Sequence, residues 1–459
     1  MSKRLIHVVG GGFAGVEAAW ACAQRGVQVR LYEMRPDRKT GAHCTSLLAE
    51  LVCSNSFKSK SPTSPSGQLK CEMEALGSLV LQIAKLYEVP AGEALAVDRT
   101  LFAEEITRQI DSNPNIEVIR LHIGPNELEE MRKTGPVIIA TGPLTSGELA
   151  QYLASVSGSQ GLYFYDAVSP TVEASSLNYD RVFAASRYGK GGGSDYLNCP
   201  FNREEYFSFV YALVNAERAL PHGVSAEEET LEKIQYFAGC MPIEAIAEKG
   251  ENSLAFGNFK PVGLTDPRTG RRPFAALQLR PENKEKTLYT LVACQNRLKW
   301  GEQKRVFQLV PGLENSEFVR YGVIHRNTYL NAPKVMMSNL ELKSLRGVFI
   351  AGQLTGVEGY LESAAMGILA GISATGTISE VPTLTPPRSS AFGSLLSHLQ
   401  DDTERDFAPM NINWGLFPTP KLPFKDKQQK KLLQLTAAQE EFRNWSTTVQ
   451  KSTESILLS

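Results

Sequence analysis

Two sets of residues in this 459-residue chain have the types and spacing to do chemistry: a glycine cluster near the start and two cysteines, Cys53 and Cys240. Gly10, Gly11, Gly12, Phe13, Ala14 and Gly15 form a G-x-G-x-x-G turn. In such a turn the first glycine makes a tight bend, the second lets a diphosphate approach the backbone, and the third lets helix and strand pack closely. Free N–H groups at the start of the following helix hold the phosphates, and Glu33, at the end of the next strand, can hydrogen-bond a ribose hydroxyl. An acid there argues against a 2′-phosphate, so FAD or NAD suits the turn better than NADP. Cys240 stands two residues before Pro242, which suits the first turn of a helix that continues to Gly250. A thiol just ahead of a helix N-terminus has its pKa lowered below the free value of about 8.5, as a nucleophile requires. Taken alone, a small packed cysteine is the commoner fate of such a residue. Cys53 closes a stretch in which Leu47, Leu48, Leu51 and Val52 predict the apolar face of a helix, and it opens onto a polar segment.

The elements that must position these groups follow from the pattern around them. Residues 5–9 read as a buried strand, and a helix of small residues (Val16, Ala18, Ala19, Ala21, Ala23) follows the turn until Gly26. Residues 27–32 form the next strand, with Glu33 directly after it. Two later strands complete the set and favour FAD over NAD. Residues 136–142 end in Ala-Thr-Gly142, as where a flavoprotein chain returns to its dinucleotide domain. Residues 347–352 end in Gly352 and lead through Gly356, Gly359 and Tyr360 into an Ala/Gly-rich helix over 361–370, whose N-terminus could face negative charge on a reduced flavin. Gly191–Gly193 lacks a preceding strand and reads as a loop, so no second nucleotide domain is expected. The predicted fold is α/β: a Rossmann-like FAD-binding domain built from both ends of the chain, 1–188 and 322–459, with an inserted α+β domain over 189–321. Residues 54–69, rich in serine and proline, predict a mobile polar loop.

Composition sets the outer limits. The chain is 42% hydrophobic and 21% charged, and no apolar run approaches the roughly 20 residues of a membrane span. Residues 1–6 enter a strand at once, which predicts no signal peptide. Seven cysteines without a C-x-x-C pair predict neither a disulfide framework nor a zinc site, and point to a cytoplasmic location with reduced thiols. Cys22, Cys44, Cys71, Cys199 and Cys294 read as structural. A net charge of −1 argues against non-specific coating of nucleic acid and leaves room for a local basic patch.

Several longer strings carry a resemblance. They are Ala49–Ser56, Val89–Arg99, Ala140–Ser146, Gly239–Glu244, Lys260–Leu264, His325–Thr328 and Gly356–Tyr360. In sequence and order they resemble the folate- and FAD-dependent tRNA (uracil-5-)-methyltransferase family, TrmFO, from the first strand to about residue 411. Cys44, Cys71 and the 54–69 segment depart from the family pattern. The resemblance implies an enzyme that uses 5,10-methylenetetrahydrofolate as carbon source, reduced FAD as electron source and NAD(P)H as reductant. It implies the T-arm of tRNA as partner and ribothymidine at position 54 as product, with no membrane and no stable protein partner. It also implies that Cys53 and Cys240 are the two functional cysteines.

The chemistry accounts for that choice of residues. Carbon 5 of uracil is a poor nucleophile until a thiolate adds to carbon 6, which makes the ring an enolate. A base must then remove the carbon-5 proton, and a hydride, which reduced FAD can supply, must convert the methylene to methyl. Cys240 is the expected nucleophile, and Cys53 is expected beside the flavin in proton transfer or a covalent link. Asp98 and Arg99 read either as ligand contacts or as an ordinary turn and ion pair; Tyr360 offers a ring on which a pterin can stack. For RNA, residues 297–305 interleave Arg297, Lys299, Lys304 and Arg305 with Trp300; Arg268, Arg271 and Arg272 form a second basic cluster, and the lysine-rich tail a third. Two alternatives stand beside this reading. One is a related wobble-uridine enzyme, which is considerably longer and lacks the string around Cys240. The other is an RNA-binding module with a structural FAD.

Overall fold

The computed structural model describes residues 4–158, 162–220, 241–379, 384–402 and 407–458. At its centre is a parallel five-stranded sheet in the order Val348–Ile350, Val137–Ile139, Leu5–Val9, Gln28–Glu33, Ile116–Arg120. The strands are short and mostly buried, as expected where helices cover both faces of a parallel sheet. The middle strand carries the glycine turn at its C-terminal end, the edge at which open α/β sheets bind ligands.

Helix Phe13–Ala23 follows the turn and packs along helix Tyr360–Ser379. Small residues on both helices permit that close approach: Cys22 Sγ lies 3.5 Å from the carbonyl oxygen of Gly371. The second helix runs 20 residues, twice the predicted stretch, and corrects the expectation that no apolar run approaches the length of a membrane span: by length and composition it could cross one. Here 83% of its apolar window is buried in the fold, as in a core helix. The two ends of the chain thus build one core.

A second, six-stranded antiparallel sheet has the order Phe183–Ala184, Leu197–Phe201, Ala275–Pro281, Leu288–Leu291, Thr171–Glu173, Phe318–Arg320. It has its own core, with Phe201, Phe209, Phe259 and Phe307 buried around it. A two-stranded ribbon, Leu162–Ala167 with Ile324–Tyr329, leads the chain out of the first sheet and back. A further sheet of Ser56–Ser59, Ala94–Val97 and Glu88–Val89 stands beside the central one.

Three further expectations are corrected. Residues 54–69 are not a loop: Ser56–Ser59 is a strand with Phe57 in the core, and helix Pro65–Ala75 starts at a Ser64 cap with proline at its first position. Residues 47–53 form no helix. Ala49 takes φ +47 and donates its N–H to the Gly11 carbonyl, while the Glu50 carboxylate is held by Arg35, Cys44 and Thr45. Those tertiary bonds displace the helical pattern that Leu47, Leu48 and Leu51 suggested. Cys44 and Cys71 are exposed rather than packed, whereas Cys22, Cys199 and Cys294 are buried. The basic tail is followed by helix Lys427–Leu458, which buries Gln434, Ala438, Phe442, Trp445 and Val449 along one stripe.

Candidate active site

The glycine turn has the geometry its spacing predicts. Gly10 takes φ +107, and a Cβ there would fall 2.4 Å from the Ala140 carbonyl oxygen on the neighbouring strand. At Gly15 a Cβ would fall 1.7 Å from the Gly10 carbonyl oxygen, so only glycine closes this turn against its helix. Gly12 has nothing within 4 Å of an added Cβ, which leaves an open cradle. As N-cap, Gly12 brings no side chain to the first-turn N–H groups of helix Phe13–Ala23, and no acidic residue opposes an anion there. These residues fit a dinucleotide diphosphate.

Glu33 sits at the cradle but is more engaged than expected. It is buried, accepts the Gly11 N–H at 2.9 Å, and takes Arg35 Nε at 2.8 Å, Nη2 at 3.1 Å and backbone N–H at 3.0 Å. Burial raises its pKa, but the hydrogen bonds and charge of Arg35 outweigh burial, and Glu33 stays below the ordinary carboxylate range. A ribose hydroxyl there must share oxygens that already accept four bonds.

Around the turn opens a cavity of about 540 Å³, within the range of small-molecule and cofactor sites. Gly10–Ala14 and Glu33 line one part, Gly142 another, and Gly352, Gly359 and Tyr360 a third. Gly352 approaches so closely that its Cβ would lie 2.7 Å from that of Ala14. The Tyr360 ring packs against Phe13 with centroids 4.6 Å apart, and Phe57 and Phe102 extend the cluster. Beside it Lys58 bridges the buried Glu362 at 2.6 Å.

Cys53 lines this cavity. Its backbone N–H donates to the Tyr360 hydroxyl at 2.7 Å, and its Sγ lies 2.9 Å from the same oxygen. Burial first, and the adjacent Cys53 second, push the Tyr360 phenol well above its usual pKa, so it stays a protonated donor. Three arginines fix the segment on either side. Arg99 donates to the Leu51 carbonyl, Arg320 Nη1 to the Val52 carbonyl at 3.4 Å, and Arg280 Nη2 to Ser54 Oγ at 3.3 Å. They share one buried carboxylate, Glu282, which Arg99 meets at 2.8 Å. Burial raises the Glu282 pKa, yet the charges of Arg99, Arg320 and Arg280 outweigh it and hold the group below its ordinary value. The Cys53 thiol therefore stands in an electropositive, partly exposed pocket, the setting of reactive rather than inert cysteines.

Several predicted residues take other places. Asp98 caps helix Arg99–Asp111, accepting the N–H groups of Thr100 and Leu101 at 3.1 Å. Arg99 is neither a surface ion pair nor a lining residue of the cavity, but the part-buried partner of buried Glu282. Cys240 lies outside the described residues. The chain that follows it is anchored at the cavity wall: the Ile243 N–H donates at 2.8 Å to the carbonyl of Gln295, a lining residue, and buried Glu244 accepts the Arg297 N–H at 2.9 Å. Helix Ile243–Ala247 begins at Pro242 as the spacing suggested. Arg268 is spent on Asp266 and the Asp180 carbonyl. Among the described residues no group of His, Cys, Asp or Glu is placed to hold a metal ion.

Sequence reasoning missed Arg280, Glu282 and Arg320. A signal was available for two of them. Arg280 stands near the end of strand Ala275–Pro281 and Glu282 just after it, two apart, so with Gln278 they share one polar face opposite Ala275, Leu277 and Leu279.

The profile of the family described as glucose inhibited division protein A matches residues 5–382. The chain is 50% identical over 430 residues to a Moorella thermoacetica protein named methylenetetrahydrofolate--tRNA-(uracil-5-)-methyltransferase TrmFO, covering 94% of this chain and 95% of that one. A protein of the same name from Citrifermentans bemidjiense is 49% identical, with 93% and 95% covered. Among solved structures, Aquifex aeolicus GidA superposes with a TM-score of 0.66 at 14% identity, covering 99% of this chain and 75% of that one. That likeness speaks for the fold.

Proposed function

The chain belongs to the family of methylenetetrahydrofolate–tRNA (uracil-5-)-methyltransferases, and from that premise we infer how its residues serve that reaction. The protein transfers the one-carbon unit of methylenetetrahydrofolate to carbon 5 of a uracil in tRNA, with FAD as its redox group. When bound, FAD supplies the electron pair that takes the carbon from methylene to methyl. One observation carries the assignment of the site. The glycine cradle, the Cys53 thiol and Tyr360 line the same cavity, although 307 residues separate Cys53 from Tyr360.

The chain's own residues divide the work. Gly12 and the first turn of helix Phe13–Ala23 bind the diphosphate, with Gly142 and Gly359 lining the rest of the dinucleotide's path. The Tyr360 hydroxyl orients Cys53, accepting its N–H and meeting its sulfur. The arginine cluster stiffens residues 51–54 and favours negative charge on the Cys53 sulfur. Cys53 moves a proton or forms a covalent link in the transfer. Cys240 supplies the thiolate that adds to carbon 6 of the uracil; the anchoring of residues 243 and 244 at the cavity wall supports this placement. The acceptor is the T-loop uridine at position 54, the T-arm is the docking element, residues 189–321 face the tRNA, and NAD(P)H is the reductant. The cytoplasm is the compartment that holds these substrates.

The test is incubation of the purified protein with methylenetetrahydrofolate, NAD(P)H and an unmodified tRNA transcript, followed by digestion and mass spectrometry for 5-methyluridine. Methylation of the wild-type transcript, lost when the T-loop uridine is cytidine and lost in Cys240→Ala, is the expected result. Methyl on the cytidine-substituted transcript refutes the position. Full activity in Cys240→Ala refutes the nucleophile.

A further inference from the structure

One surface feature lies outside the cavity and is not used by the reaction described above. Trp300, the first residue of helix Trp300–Phe307, is 63% exposed. Its ring lies parallel to that of Tyr321, with centroids 5.5 Å apart and planes 12° apart. Tyr321 in turn stacks on Phe318 at 5.3 Å and 7°. Three rings thus form a ladder, with Trp300 at its end and Phe318 tied to the core through Phe307 at 6.3 Å.

The ladder is held rigidly. Buried Gln303, on the same helix as Trp300, donates to the Gly322 carbonyl and accepts the Gly322 N–H, both at 2.7 Å. Those two bonds fix the helix to the residue following Tyr321. The ladder is also continuous with the active cavity. Val323, next along, accepts the N–H of Val168, a lining residue, and Gly322 packs against the Val168 carbonyl. On its other side the helix leads back through Arg297, whose N–H is held by Glu244, to Gln295 at the cavity wall. The platform therefore stands on the flank that carries the chain leaving Cys240.

Exposed aromatic area in a parallel stack costs solvation, and a single parallel ring surface recognises another flat ring. Its rim is cationic. Lys304 is exposed with no ion-pair partner among the described residues, while Lys299 and Arg305 hold exposed pairs with Glu217 and Glu302 that are cheap to exchange for phosphates. We propose that the Trp300–Tyr321–Phe318 ladder is a stacking platform for an unstacked base of the tRNA, a neighbour of the reacting uridine, with Lys304 on the adjoining phosphate. This rests on the tRNA reading above. It adds the place where the RNA is gripped and the means by which a loop base is kept out of its own stack.

The test uses the FAD-loaded enzyme, a full tRNA transcript, and a T-arm hairpin beside a fully paired duplex of the same length. Trp300→Ala is expected to raise Kd and KM for tRNA about tenfold to a hundredfold, with kcat, flavin content and flavin bleaching by NAD(P)H unchanged. Trp300→Phe should recover most of the affinity. Stacking carries no charge, so Trp300→Ala should leave the slope of log Kd against log salt unaltered, whereas Lys304→Ala should reduce it by about one. The hairpin should lose affinity in Trp300→Ala and the duplex should not. If the hairpin and the tRNA bind Trp300→Ala as tightly as wild type, the platform is refuted. Self-association that is weakened in Trp300→Ala while tRNA affinity stays intact refutes it equally and assigns the surface to a protein contact. Wild-type enzyme that neither binds nor methylates tRNA would instead overturn the functional reading itself.

Discussion

Alanine at Gly12 and alanine at Gly15 add the same methyl group to the same turn, and the structure predicts opposite consequences. At Gly15 the added carbon would fall 1.7 Å from the Gly10 carbonyl oxygen and 2.9 Å from its carbon, both backbone atoms. No rotamer relieves that contact, so the turn or the helix must move by more than about an ångström. Overpacking of side chains costs about 1–3 kcal/mol, and a clash with backbone belongs above that range, at about 3–5 kcal/mol. At Gly12 no atom lies within 4 Å, and φ is −79, a value any residue adopts. The flavin-free Gly12→Ala protein should keep its stability, or gain up to about 1 kcal/mol through a less flexible unfolded chain. Its methyl group would instead occupy the space of the diphosphate, and FAD affinity should fall at least a hundredfold, about 2.7 kcal/mol. Denaturant unfolding of flavin-stripped protein measures the first quantity, and titration with FAD followed by quenching of its fluorescence measures the second. Added FAD should raise the melting temperature of the wild type and not of Gly12→Ala. FAD bound by Gly12→Ala within threefold of wild type, or equal destabilisation of the two stripped variants, would refute the assignment of the diphosphate to Gly12.

Further outcomes follow from the buried polar groups. Tyr360→Phe leaves the Cys53 N–H without its acceptor, which should cost about 1–3 kcal/mol; it should also speed site-resolved alkylation of Cys53, and unchanged alkylation would mean the hydroxyl does not restrain the thiol. Glu282→Gln leaves three guanidinium groups without their carboxylate and should destabilise by about 3 kcal/mol or more. Arg99→Met should cost less, because Arg280 and Arg320 still neutralise Glu282; urea unfolding giving the reverse order would contradict the shared-carboxylate arrangement. Burial first, and the charge of Arg30 second, lower the His7 pKa from 6.5 to about 4, while its ring nitrogens meet Tyr32 and Thr134. A folded pKa below the unfolded one means a contribution present above pH 6.5 and lost as pH falls toward 4. By pH 5 the wild type should have lost about 2 kcal/mol through this group. His7→Gln should lack that share of the acid sensitivity, and matching pH profiles for the two proteins would count against a neutral buried imidazole.

The glycine turn, four of the five parallel strands (all but Ile116–Arg120), and the helix after Pro242 were legible in the sequence. Each is dictated within a few residues: steric limits at Gly10 and Gly15, continuous apolar runs, and a proline at a helix start act locally. The resemblance in the strings around Cys53 and Cys240 added the reaction. Residues 47–53 and 54–69 were not legible, because their local preferences lose to distant partners. Leu47, Leu48 and Leu51 suggest a helix, but Arg35 holds Glu50 and the Gly11 carbonyl takes the Ala49 N–H. The serine- and proline-rich run holds Phe57, a core residue.

The environment of Cys53 belongs wholly to tertiary structure. Tyr360 arrives from the far helix, Arg99 from a helix start, Arg280 and Glu282 from the second sheet and Arg320 from its edge. None of these residues is near Cys53 in sequence, and a charge is tolerated in such a place only once its counter-charge has been brought to it. The same holds for the aromatic ladder, where Trp300 and Tyr321 meet because Gln303 joins a helix to the Gly322 connection between two strands. By itself the sequence determined the dinucleotide cradle, since its geometry is set by backbone sterics over six consecutive residues. Only the folded chain decided which thiol faces the cradle and which charges surround it, because long-range packing brings together groups that share no local pattern.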